Sequence, residues 1–124
     1  MRVLLSIKPE FAVKIFDGSK GYEYRRTIFR RKEVTTVIVY ASDPVKKVIG
    51  EFDIGGIIQE DPISLWSKTK DHAGISWEGF LEYFENKEKG YAIKIASTRH
   101  YDVPRLLSSL MLSSPPQSFR YLSD

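Results

Sequence analysis

Apolar and polar positions along this chain follow two different periods, and the switches between them mark the elements. RVLLSIK, residues 2–8, reads as a first strand. Pro9 then opens a helix at a first-turn position, where its missing N–H costs nothing. Phe11, Ala12, Ile15 and Phe16 share one face of that helix over two turns, and Gly18 supplies a left-handed stop. From residue 20 the period falls to two. Lys20, Tyr22, Tyr24 and Arg26 lie on one face of a strand, with Gly21, Glu23 and Arg25 on the other. Neither face is cleanly apolar, so this strand suits a site better than a core.

Further along, Phe29–Val34 is a connector carrying Arg30, Arg31, Lys32 and Glu33, and Val37–Ala41 is an apolar run of strand type. Ser42, Asp43 and Pro44 end it as a turn, with a rim loop of the site as the alternative. Val48–Ile57 alternates, and Gly50 within it signals a bulge or a close backbone approach. Asp61-Pro62 caps a helix through Ile63, Leu65 and Trp66. Ser76 caps another, whose Trp77, Phe80, Leu81 and Phe84 form a core-facing stripe. Tyr91–Ala96 is a strand, a short helix is expected over Val103–Leu112 after Pro104, and residues 113–124 form an extended tail. Strands thus flank a helical insertion, several strands are turn-linked, and βαβ alternation is absent. The expected class is α+β: a small, mostly antiparallel β-barrel with short flanking helices, one domain over residues 1–124.

The 124 residues, 42% of them hydrophobic and 28% charged, have the composition of one globular domain with a real core. The early run Val3-Leu4-Leu5 is interrupted by Ser6 and Lys8, so no signal peptide or membrane span is expected. The absence of cysteine excludes disulfides, thiol nucleophiles and zinc–thiolate centres, and suits a cytoplasmic location. His72 and His100 stand apart from other ligand types, so no metal is expected, and without a glycine-rich phosphate loop or dinucleotide fingerprint no cofactor is expected either. Charge changes the picture more. Residues 1–35 hold nine Lys/Arg against four Asp/Glu, while residues 36–124 hold ten against twelve. That concentration favours a phosphate-bearing partner, with a solvated basic surface as the plain alternative.

The segment SIKP, the helix that follows, Gly18-x-Lys20, and Glu23-x-Arg25 on the next strand together resemble the ASCH domain family, a branch of the PUA-like β-barrels. The similarity spans roughly residues 2 to 100, its sharp part residues 6–26. It implies a PUA-like barrel that binds RNA or a nucleotide, in some members as a transcription coactivator-like module. A few small members resemble amidohydrolases acting on acetylated cytidine, using a lysine and a threonine three positions later, aided by a later carboxylate. Here Lys20 matches the lysine but Glu23 stands at the threonine position. The later carboxylate would fall near Gly74–Ser76, where there is no acid, although Asp71 and Glu78 are close in sequence.

The residues themselves suggest a binding cleft. Lys8, beside a helix N-terminus, and Lys20 would meet phosphate. Arg25, with its planar fork, would meet phosphate or a base edge, with Arg26 nearby. Glu23 would orient Arg25 or accept from a base amino group, while the plain alternative is a surface ion-pair network. Tyr22, Tyr24 and Tyr40 could stack on bases or line the barrel wall, and Gln117 to Tyr121 could contact a ligand or simply pack. The reading is an RNA- or nucleotide-binding domain, with a regulatory role among its expectations. Its alternatives are a nucleoside amidohydrolase using Lys20 and Glu23, and a module for an acidic protein partner.

Overall fold

The computed structural model describes residues 1–123. Its strands are β1 (Arg2–Ile7), β2 (Tyr22–Arg25), β3 (Thr36–Ala41), β4 (Lys47–Glu60), β5 (Gly90–Arg105) and β6 (Phe119–Leu122). Its helices are α1 (Pro9–Asp17), α2 (Pro62–Thr69) and α3 (Trp77–Tyr83). The expected α+β class holds. The strands form one curled half-barrel sheet in the order β2-β5-β4-β3-β1-β6, which leaves β2 and β6 as its two edges. All pairings are antiparallel except β1 with β3, a parallel pair that the alternation of elements did not reveal.

The apolar runs explain this order. β1 and β3 are buried along most of their length, as strands covered on both faces are. Val3, Leu5 and Ile7 pair with Val37, Val39 and Ala41, and with Phe52 and Ile93 they pack against Ala12 and Ile15 of α1. Leu4, Ile38, Tyr40 and Val48 form a smaller cluster on the other face. The last strand lies antiparallel on β1, with Arg2 opposite Leu122, so part of the expected extended tail completes the sheet.

Local signals for the helices act as read. Pro9 opens α1, and Gly18 ends it at φ 86°. The Asp61 carboxylate accepts from the Ser64 N–H, and the Ser76 hydroxyl from the Gly79 N–H. The α3 stripe is corrected in part. Phe80 and Phe84 are buried, edge-on to the Tyr24 ring at 5.1 and 6.2 Å, but Trp77 and Leu81 are 37% and 42% exposed. The reason is that Trp77, at the first turn, packs on Trp66 and Phe80 rather than on the sheet.

The helix expected over Val103–Leu112 is also corrected. Residues 103–105 end the long β5, and only Leu107–Leu110 turn, as a short 3-10 helix. Pro104 is tolerated because the far end of β5 pairs with β4 alone, so its missing N–H costs no ladder bond.

Gly50 is a close approach as well as a bulge. The register shifts between Val48 and Gly50 against both neighbouring strands, and a Cβ at Gly50 would lie 2.5 Å from the Phe16 ring and 2.7 Å from the Arg99 carbonyl oxygen. Because one of those atoms is backbone, Gly50→Ala should destabilise the fold by about 1–3 kcal/mol. Urea denaturation measures this, and an unchanged midpoint would contradict the close packing.

Candidate functional site

The curl brings the two edges of the sheet toward each other without pairing them, and a hollow of about 640 Å³ lies at that seam. Residues from β1, the start of α1, β2 and the segment before β6 line it. Lys8, Lys20, Glu23, Arg25 and Arg26 all face this one hollow, joined by Lys87, Phe11 and Tyr83. Five cations therefore surround a single acid, Glu23. Ser42, Asp43 and Pro44 form a turn elsewhere, and Asp71 and Glu78 do not line the hollow. Tyr24 lines it, whereas Tyr22 and Tyr40 do not; Tyr40 is a core residue of the opposite face.

Lys20 is the most constrained of these groups. Its side chain is buried, and its ammonium donates to the Ala73 carbonyl at 2.9 Å. It stands 4.7 Å from the Tyr24 ring centroid and 5.2 Å from that of Phe11. The neighbouring loop is tied down three times: by this bond, by Lys14 donating to the Gly74 carbonyl at 3.1 Å, and by the Gly21 N–H donating to the His72 carbonyl at 2.8 Å. Gly74 adopts φ 66°, and a Cβ there would lie 2.7 Å from Lys20 Cβ. Glycine is thus required for the loop to close over the lysine stem. Burial lowers the Lys20 pKa to about 8, against the pull of the Glu23 carboxylate and with some help from Lys14.

Arg25 is a brace across the seam. Its Nη1 donates to the Ser6 carbonyl and to Glu23 Oε2, both at 3.3 Å, and its Nη2 to the Ser118 carbonyl at 2.9 Å. The Ser6 hydroxyl donates to the Pro116 carbonyl at 2.8 Å, so the segment before β6 is held from two sides. Arg26 lies over the Tyr83 ring at 5.3 Å, and the Tyr83 hydroxyl donates to the Tyr24 carbonyl. The Tyr24 hydroxyl meets Thr69 Oγ1 at 2.6 Å; since that threonine donates to the Leu65 carbonyl, tyrosine is the donor. Burial pushes the Tyr24 hydroxyl up to about 12, so it stays protonated.

Sequence reasoning missed Tyr83, Lys87 and the loop carbonyls of Ala73 and Gly74. The first two sit on or just after a helix read as core, and carbonyl acceptors carry no side-chain signal. Among the described residues no group of acidic or histidine side chains could hold a metal ion. No helix there is long and apolar enough to cross a membrane.

Residues 5–99 match the model of the ASCH domain, and the chain belongs to that family. Among curated relatives, the chain is 34% identical over 122 residues to an ASCH domain-containing ribonuclease of Zymomonas mobilis, covering 96% of this chain and 82% of that protein. A crystal structure of ASCH from Zymomonas mobilis superposes with a TM-score of 0.90 at 33% identity, over 98% of this chain and 87% of that one. The chain is also 31% identical to part of the large ribosomal subunit protein uL22 of Ureaplasma parvum, and 30% identical to part of an ATP synthase subunit alpha from that organism. It spans only 39% and 15% of those two proteins, respectively.

The buried lysine makes a thermodynamic prediction. An unfolded lysine keeps its ordinary pKa of 10.5, whereas the folded one titrates near 8, so between these values the unfolded chain binds the extra proton. Stability must therefore rise with pH across that window. The stability of wild type relative to Lys20→Met should increase from pH 8 to 10.5 by up to about 3 kcal/mol, followed by urea denaturation. A difference that stays flat would show that the ammonium is not desolvated.

Proposed function

We propose that the hollow holds a segment of single-stranded or looped RNA. The observation that carries this reading is the ring of five cations around one acid, in an open hollow with a fixed lysine at its base. Its volume of about 640 Å³ is within the roughly 300–1,000 Å³ of small-ligand sites, enough for two nucleotide units of a longer strand. Lys20, exposed Lys8 and Arg26 meet phosphate oxygens, while Arg25, its fork already engaged, holds Glu23 and the segment before β6 in place. Glu23 then offers an acceptor to a base amino group or a ribose hydroxyl. The ribonuclease name of the Zymomonas relative supports RNA as the ligand class.

A second reading, RNA strand cleavage, is favoured by one further observation. An amine with a pKa of about 8 shares the hollow with a carboxylate, and general acid–base catalysis works best with groups that titrate near the working pH. In that reaction the ribose 2′-oxygen attacks the adjacent phosphorus and the 5′-oxygen leaves. Glu23 takes the 2′-hydroxyl proton and the Lys20 ammonium stabilises the charge on phosphorus or protonates the leaving oxygen. Hydrolysis of an acetylated cytidine has less support, because Glu23 replaces the threonine and no second acid reaches the hollow.

Fluorescence anisotropy with labelled single-stranded RNA, structured RNA and duplex DNA at two salt concentrations tests binding. Lys20→Ala should weaken RNA binding about tenfold, the equivalent of one charge-assisted contact. Wild-type affinity should fall as pH rises above about 8, because the free lysine loses its proton there, while Lys20→Arg should stay level. RNA affinity that is the same in Lys20→Ala and wild type would reject the site, and capture of an acidic protein without RNA would favour the interaction-module reading. Cleavage is checked on denaturing gels, where products ending in a cyclic phosphate should vanish in Glu23→Gln.

A further inference from the structure

We infer that a second groove, beside the hollow, carries the nucleotides that continue from it, so that the RNA-binding surface extends along the Arg26–Lys32 segment and across β5 onto β4. This rests on the RNA reading of the hollow and extends it to a separate subsite. Three observations place it there.

The first is continuity. Arg25 lines the hollow, and its cross-strand partner on β5 is Tyr91, which lines the groove; the partner of Tyr91 on β4 is Gln59, which lines it too. Residues opposite one another across antiparallel strands project on the same face of a sheet, so the two cavities are neighbours on one surface. The chain repeats the connection: Arg26 and Thr27 face the hollow, and the next residues, from Ile28 to Lys32, face the groove.

The second is charge. Between Arg26 and Lys32 there are four cations and no acid. Arg30, Arg31 and Lys32 are exposed, and none of them forms an ion pair among the described residues. A loop held so basic and unneutralised fits a polyanion, and each phosphate it neutralises releases counterions.

The third is that the loop is held in shape. The Tyr121 hydroxyl accepts the backbone N–H groups of Arg30 and Arg31 at 2.9 and 3.1 Å, and the Arg31 guanidinium lies over the Tyr121 ring at 5.0 Å. Phe29 and Val34 anchor the loop in the core. The groove measures about 750 Å³, and half-buried Tyr91 in its wall gives a ring on which a base could stack. Arg30 and Lys32 then meet the phosphates on either side of that base.

The test compares a uridine dinucleotide, which the hollow alone can hold, with a uridine dodecamer long enough to reach the groove. Anisotropy would follow wild type, Arg30→Ala/Lys32→Ala, Tyr91→Leu and Lys20→Ala, with circular dichroism melts confirming that each is folded. The exposed double variant should leave dinucleotide affinity unchanged, weaken the dodecamer about tenfold or more, and reduce the magnitude of its salt slope by about 1.4, the contribution of two phosphates on a single strand. Tyr91→Leu should weaken the dodecamer alone, without changing the salt slope. If both variants bind the dodecamer like wild type while Lys20→Ala loses the dinucleotide, the groove is rejected and the hollow stands. If Lys20→Ala binds both RNAs as wild type does, the hollow itself is rejected and the extension with it. Equal competition by polyglutamate and by the dodecamer for the basic loop would overturn the assignment to RNA in favour of an acidic protein.

Discussion

Everything in this molecule is arranged around a sheet that curls but does not close. Its order leaves β2 and β6 as edges facing each other across a gap, and backbone hydrogen bonds do not bridge it. Arg25 does, donating to a carboxylate on its own strand, to a carbonyl at the end of β1 and to a carbonyl just ahead of β6. A planar fork that reaches several acceptors at once suits this work better than a flexible ammonium would. The gap it spans is the hollow, so one side chain both holds the two edges at a fixed separation and shapes the space between them.

The other demanding arrangement is the placing of a positive charge under cover. An ammonium moved away from water loses hydration, and the protein returns it only in part, through one carbonyl, two ring faces and a nearby carboxylate. The loop at residues 72–74 supplies the carbonyl and is itself held by a second lysine and a β2 backbone N–H. Keeping the charge there has a cost in stability, since an apolar residue at the position would lose no hydration.

The sequence made much of this legible where side chains carry the signal. Pro9, Gly18, Asp61 and Ser76 mark helix ends by chemistry that acts within a few residues, and each acts as read. The cluster of Lys8, Lys20, Glu23 and Arg25 could be picked out because unlike charges interrupt a strand pattern, and all four face one hollow. What could not be read depends on distant partners. Trp77 carries the period of a core residue, and only the placement of α3 against the sheet shows that it lies at the margin. Pro104 reads as a break because the pattern does not say that the end of β5 has one partner strand instead of two. Ala73 and Gly74 contribute through carbonyls, which every residue has. The pairing of Arg25 with Tyr91, which joins the two cavities, is a matter of register and leaves no mark in composition.

The adjacency of the first and last strands bears on how such a unit travels. Arg2 faces Leu122 across one ladder, so the chain enters and leaves the sheet at nearly the same place. A unit built like that can be grafted onto a host through one point on its surface, without threading the host through its core or prising its own edges apart. The sequence kinship with a ribosomal protein and an ATP synthase subunit likewise covers only limited portions of those proteins. The cavity between β2 and β6 is then carried along whole, because every residue that shapes it moves with the sheet.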